Sequence, residues 1–379
     1  MDYSRYYSDD VPSFLSSPVR EIFSKVDLSA IASFAGGYPA ASTFPVEDIK
    51  QLSRLVLDKY GTKALQYGAT QGVPELRQAL AGRYGVDVSE VQVTTSSQQG
   101  IDICTRILCN PGDVVVSDDP TYLGALQSFR AYRAVVMSRS RYEEEEGAVK
   151  GKFIYVIPDF NNPSGKTMDL GERLELVDFA RRYDLLIVED SPYRELRYVG
   201  EPVTTIRELA PERTLHLGSF SKIFAPGFRL GWIIGPPELL RQIFICKQSL
   251  DLCPPVFDQY MAAEFMTSGA LDRNLGKTIA EYSRRRDRML SLLDRYMPEG
   301  VSRTNPEGGL FLFLTLPENV DTVAMYDEAL SRGVAYVAGS FFYTDGSHRN
   351  TMRLNFSFID EENMEPGMKL LSDIIKKRI

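Results

Sequence analysis

Short apolar runs alternate with longer amphipathic stretches through the middle of the chain. The runs Asp113-Val-Val-Val-Ser117, Lys152-Phe-Ile-Tyr-Val-Ile157, Leu185-Leu-Ile-Val188, Thr214-Leu-His-Leu217 and Leu230-Gly-Trp-Ile-Ile234 are too short for helices and rich in β-branched or aromatic residues, so each reads as a strand. Segments between several of them have helical spacing, as in Leu170 to Tyr183 with Leu174, Leu176, Val177 and Ala180. This rhythm, from about 90 to 260, predicts an α/β fold whose large domain is three-layered, αβα, around a mainly parallel sheet. After about 275 the texture changes. A charged helix candidate over Lys277 to Tyr296 leads into Gly308-Gly-Leu-Phe-Leu-Phe-Leu314, a helix, Thr351-Met-Arg-Leu-Asn-Phe356 and a last helix, which predicts a smaller α+β domain. The expected layout is an N-terminal arm over 1–30, docked on the small domain or a second subunit, a large domain over 31–265 and a small domain over 266–379. Glu143 to Glu146 reads as a solvated loop.

The polar residues matter because of where they fall on this pattern. In parallel α/β sheets, ligands bind beyond the carboxyl ends of the strands. Here those ends carry Asp119-Pro-Thr-Tyr122, Pro158-Asp-Phe-Asn-Asn-Pro-Ser-Gly165, Glu189-Asp-Ser-Pro-Tyr193 and Gly218-Ser-Phe-Ser-Lys222, all opening onto one face. Ser96-Ser-Gln-Gln-Gly100 follows the run Val91-Gln-Val-Thr-Thr95 where a strand turns into a helix. Free N–H groups and the helix dipole suit a phosphate there, although such a start is more often an ordinary cap. Lys222 lies between an apolar strand and aromatics, with Arg229 seven residues on. It is either a snorkelling surface group or an amine whose charge has been made costly. Moving an amine from about 10.4 to near neutrality takes roughly 4 kcal/mol, which partial burial and a neighbouring cation can supply. Asp190 leaves its strand already desolvated. Its carboxylate is either a turn cap or the partner of a cation, of which a protonated pyridine nitrogen is one.

Composition removes some alternatives. The chain has 379 residues, 44% of them hydrophobic and 25% charged, as in folded globular proteins, and no run approaches the roughly 20 apolar residues of a membrane span. A net charge of -8 argues against nucleic acid as the main partner. With two histidines, His216 and His348, multi-histidine metal sites are excluded, no metal is expected, and the chemistry falls to Lys, Arg, Asp, Tyr and Asn. Cys104, Cys109, Cys246 and Cys253 form no CxxC pair and read as reduced thiols. The polar, acidic Met1 to Asp10 does not look like a secretory signal, so a cytoplasmic location is expected.

Taken together, Ser219-Phe-Ser-Lys222 with Pro226-Gly-Phe-Arg-Leu-Gly231, Asn161-Asn-Pro-Ser-Gly165 and Glu189-Asp-Ser-Pro-Tyr193 resemble the fold type I, class I aminotransferases. Phe34-Ala-Gly-Gly-Tyr-Pro39, Leu65-Gln-Tyr67, Ser97-Gln-Gln-Gly100 and Arg349-Asn-Thr-Met-Arg-Leu-Asn-Phe356 are similar to the α-aminoadipate and kynurenine aminotransferase branch. The resemblance runs in order from about Pro18 to the C-terminus. It implies pyridoxal 5'-phosphate as cofactor, joined to Lys222 as a Schiff base, with Asp190 pairing with the ring nitrogen to keep the ring an electron sink. It further implies that Asn162 and Tyr193 donate to the phenolic oxygen and that Tyr122 stacks on the ring. Ser97, Gln98, Ser219, Ser221 and Arg229 are to surround the phosphate, joined by Tyr67 from a neighbouring subunit. Arg353 is to grip the substrate α-carboxylate, helped by Gly37 and Asn162.

The implied reaction is ping-pong transfer of an amino group from an L-amino acid to a 2-oxo acid such as 2-oxoglutarate, in a homodimer. A lyase, decarboxylase or synthase using the same site is the alternative. A regulator with a fused DNA-binding module is disfavoured by the short, non-basic leader, and a binding-only homologue by the intact chemical positions. Substrate choice stays open among aromatic, large apolar and 2-aminoadipate-like side chains. Arg20 is either the contact for an acidic side chain or a surface arginine. Phe34, Tyr38, Phe341, Phe342 and Tyr343 favour aromatic substrates unless they are core residues.

Overall fold

The computed structural model describes residues 1–14 and 31–379. In chain order its strands are β1 (Ala32–Ser33), β2 (Val91–Thr94), β3 (Val114–Ser117), β4 (Val135–Ser138), β5 (Gly151–Val156), β6 (Leu186–Asp190), β7 (Thr214–Ser219), β8 (Gly231–Ile234), β9 (Ser302–Arg303), β10 (Phe311–Thr315), β11 (Val334–Ala335), β12 (Val337–Ala338) and β13 (Thr351–Asn355). Seven of them form one sheet in the order β2-β8-β7-β6-β5-β3-β4. All neighbours in it are parallel except around β8, which runs antiparallel to both β2 and β7.

Its central strands are mainly apolar because both faces are covered, with Glu189 of β6 and His216 of β7 buried beside each other. Val115, Phe153, Tyr155, Val188, Leu215 and Leu217 point into one core, with the helices Ser96–Leu108 and Pro237–Leu250. The alternate residues Val114, Val116, Ile154, Val156 and Ile187 point into the other, against Leu176, Val177, Phe179 and Ala180 of the helix Leu170–Arg182. Fully burying each Val, Leu or Ile is worth roughly 1.5–3 kcal/mol, so the three-layer arrangement follows from the pattern itself. Leu174, at helical spacing in the sequence, is exposed, and Arg173 takes a buried place instead.

The second sheet is antiparallel, in the order β12-β13-β10-β9, and packs near the helices Ala270–Tyr296 and Glu361–Lys376. The first of these helices begins seven residues before the expected Lys277. Leu271 and Leu275 already belong to its buried stripe, and Gly269, at φ 72°, starts it. β10 begins only at Phe311, because Gly308 forms an isolated bridge with Arg197 and the chain bends at Gly309, at φ 73°. β1 pairs with β11, and Phe34 forms backbone hydrogen bonds with Ala335 and Asn355, so residues after the arm run along the C-terminal part of the molecule.

One further expectation differs: Glu143 and Glu144 close a short helix, Arg139–Glu144, capped by Ser138. The described part of the arm meets the helix Leu123–Ala131 beside the large sheet, where Ser13 donates to the Ala131 carbonyl and Asp10 pairs with Arg133. Among the described residues no helix is long and apolar enough to cross a membrane.

Candidate active site

The exits of β3, β5, β6 and β7, with the start of the helix Ser96–Leu108, open on one cavity of about 960 Å³. Gly37, from the segment after β1, and Arg353 of β13 also line it.

Lys222 comes three residues after β7. Its Nζ donates to the Gly37 carbonyl at 2.8 Å. Burial, then the nearby Arg353 and Arg229 charges, push this amine down to about 8. Arg229 is exposed, at φ 51°, and donates to the Pro226 carbonyl at 3.2 Å. The neighbouring cation expected from the sequence, Arg229, acts on Lys222, but the buried Arg353, expected only at the substrate carboxylate, acts more strongly.

Asp190 ends β6 with 2% of its surface exposed. One oxygen accepts from Tyr155 at 2.7 Å, while Oδ1 has no hydrogen-bond partner among the described residues. Burial lifts its carboxyl to about 6. Tyr155 is the last residue but one of β5, and its only sequence signal is a hydroxyl in an otherwise apolar run one strand away from Asp190. It was not among the expected site residues.

Arg353 lies mid-strand in β13, 5% exposed. It donates to Asn162 Oδ1 at 2.9 Å and to the Ala35 carbonyl at 2.7 Å, and Phe311 and Phe342 flank its guanidinium at 4.3 and 5.1 Å from the ring centroids. Nε has no partner among the described residues. The group is held in one plane with donors to spare, the condition for a bidentate grip on a carboxylate. Burial pulls it down to about 10, so it stays cationic at neutral pH. Asn162 also bonds Tyr193, joining the arginine to the tyrosine whose hydroxyl burial holds above its usual range.

At the other end of the cavity, Ser97 and Gln98 occupy the first turn of the helix Ser96–Leu108. Gln98 is pinned by bonds to the Gly124 carbonyl and to Ser128. Gly231 lets the chain approach, since a Cβ there would lie 2.6 Å from the Ser97 nitrogen. Ser219 accepts from the Ser221 N–H, and both line the cavity, as does Tyr122. Of the aromatic candidates, Tyr38 and Phe342 line it; Phe34 belongs to the core, and Phe341 and Tyr343 pack against a smaller apolar cluster. Tyr67 does not reach it and is 79% exposed. Arg20 lies outside the described residues.

These residues fit pyridoxal 5'-phosphate. A buried carboxylate oxygen without a donor calls for one, and a protonated ring nitrogen supplies it; an amine of lowered pKa and an uncapped helix start suit the aldehyde and the phosphate. On this sheet they define a pyridoxal-phosphate enzyme. More narrowly, the chain belongs to the aminotransferases of class I and II, whose family profile matches residues 35–371. It is 43% identical to aromatic-amino-acid aminotransferase 1 of Thermococcus litoralis over 100% of this chain and 96% of the relative. The solved kynurenine aminotransferase of Pyrococcus horikoshii, in complex with PMP, is 41% identical, with a TM-score of 0.95, covering 100% of this chain and 98% of that one. The α-aminoadipate aminotransferase LysN of Thermus thermophilus, solved with N-(5'-phosphopyridoxyl)-L-leucine, is 32% identical, with a TM-score of 0.93, over 100% and 99%.

Proposed function

We propose that this aminotransferase moves the amino group of an L-amino acid with an aromatic, large apolar or 2-aminoadipate-like side chain to a 2-oxo acid such as 2-oxoglutarate, by a ping-pong sequence. The observation that carries the reading is the Asp190 oxygen left without a donor in the cavity where the Lys222 amine is also held. When bound, the cofactor supplies an electron sink for the bond broken at the substrate α-carbon.

In this reading Lys222 would hold the cofactor covalently as a Schiff base and, once substrate binding had freed its amine, would take the α-proton and return it at the cofactor's C4' position. Asp190 keeps the ring nitrogen protonated, and the Tyr155 hydroxyl fixes its other oxygen. Asn162 and Tyr193 serve the phenolic oxygen, Tyr122 stacks on the ring, and Ser97, Gln98, Ser219, Ser221 and Arg229 hold the phosphate. Arg353 binds the α-carboxylate, with Asn162 and Gly37 beside it. The aromatic pair Tyr38 and Phe342 favours an aromatic or large apolar side chain, and Arg20 is assigned to an acidic one.

The reading includes a homodimer in which Tyr67 completes the phosphate site of the partner. Its support is the exposure of Tyr67 and Leu65, an apolar pair left in water. A cytoplasmic location belongs to the proposal on the four free cysteines, and so does the division at 265/266.

The test is a half-reaction panel: cofactor-loaded enzyme is mixed with each amino acid and its visible absorbance followed. Loss of the absorbance with release of the matching 2-oxo acid, reversed by 2-oxoglutarate, is the expected result. Turnover that needs no oxo acid would assign a lyase or decarboxylase instead.

A further inference from the structure

The helix Pro237–Leu250 carries a lysine whose side chain is completely buried, Lys247, and Asp251 follows the helix end. Lys247 Nζ contacts both Asp251 oxygens, at 2.6 and 2.8 Å, and donates to Gln99 Oε1 at 3.0 Å. Asp251 Oδ2 also accepts from the Thr95 hydroxyl and from Gln99 Nε2, each at 2.7 Å. Gln99 Oε1 in turn accepts from the Thr95 N–H at 2.8 Å. The cluster thus converges on Thr95 and Gln99, the two residues that flank Ser96, Ser97 and Gln98.

A buried ion pair is weak evidence for stability, so its placement calls for another reason. Thr95 is the residue before the helix, where a threonine hydroxyl ordinarily accepts from an N–H of the first turn. Here the hydroxyl donates to Asp251, and no side chain caps the helix. The first-turn N–H groups are left for an anion, and the turn still keeps a fixed shape. Ser96 stands at φ 69°, which L-residues adopt reluctantly and keep only where neighbours over-determine it. The pairing also cancels charge: the carboxylate alone would repel a phosphate.

We infer that Lys247 and Asp251 are positioning residues that hold the Thr95–Gln99 turn in its phosphate-binding shape and keep Thr95 from capping its own helix. The inference rests on the assignment of Ser97 and Gln98 to the cofactor phosphate. It predicts that damage to the cluster is felt by the phosphate and not by the ring.

Affinities of the apoenzyme for pyridoxal 5'-phosphate and for pyridoxal are measured by absorbance titration of wild type, Lys247→Met and Thr95→Val. The expected result is a fall of roughly ten- to a hundred-fold in the affinity ratio of the two ligands for Lys247→Met. Thr95→Val, which keeps the side-chain shape and loses one hydrogen bond, should lower it roughly three- to ten-fold. A general structural role would weaken both ligands equally, and an unchanged ratio in the variants overturns the inference. If Lys247→Met does not fold, Thr95→Val decides alone. A wild-type enzyme that does not prefer the phosphorylated ligand overturns the phosphate assignment itself, and this inference with it.

Discussion

Lys222, Asp190 and Arg353 each carry a charge that burial makes costly, and each is offset differently. Lys222 is brought toward the neutral amine, Asp190 keeps one satisfied oxygen, and Arg353 is tied to Asn162 and Ala35. Lys222→Ala should therefore abolish covalent loading, read as loss of the borohydride-trapped adduct in a peptide map. Recovery of the adduct at another lysine would reassign the site. Arg353→Ala should weaken substrate binding by about 2–4 kcal/mol through loss of a charge-assisted pair, measured as the substrate Kd in single-turnover titrations. The pH dependence follows from the two shifts. Below pH 8 Lys222 is mostly an ammonium and cannot attack an aldehyde, so the loading rate should rise about ten-fold per unit up to about 8 and then level off. Below about 6 Asp190 is protonated and loses its hold on the ring nitrogen, so cofactor affinity should fall there. A loading rate flat between pH 6 and 8 would refute the neutral-amine account.

At the level of elements, the groups proposed as catalytic stand where strands stop. Inside a strand buried on both faces a polar side chain is costly unless paired, as Glu189 and His216 are with each other, and Asp190, Ser219 and Lys222 stand at or just beyond the ends of β6 and β7. That much was legible in the sequence, together with the loop bearing Asn162. Tyr155 was not, because its role depends on β5 and β6 being neighbours in register. β4 was missed for a related reason: it is an edge strand with Val135 exposed, so its pattern is mixed. The approach of β8 to the phosphate turn is equally a matter of packing. Gly231→Ala should cost about 1–3 kcal/mol in thermal unfolding, because a methyl group there meets the backbone of Ser96 and Ser97. A variant as stable as wild type would show that the turn can move aside.

For the whole molecule, the site combines residues far apart in sequence. Gly37 meets Lys222, and Arg353 meets Asn162, only because the strand pair β1–β11 and the sheet carrying β13 pack over the strand exits. Tyr67 points the same way at one level higher, since within one chain it serves nothing in the cavity. Sedimentation at assay concentration should give a dimer as the active species. An active monomer would leave Tyr67 without the role proposed for it.

By itself the order of residues determined the layers and the face on which the chemistry lies, and it singled out the lysine proposed to carry the cofactor. Periodicity and motif spacing are local quantities that survive without coordinates. Only the tertiary structure decided that Asp190 keeps one oxygen unpaired, that a tyrosine secures the other, and that Lys247 and Asp251 are tied by hydrogen bonds to Thr95 and Gln99. Those are relations between distant segments, and they exist only once the strands have found their neighbours.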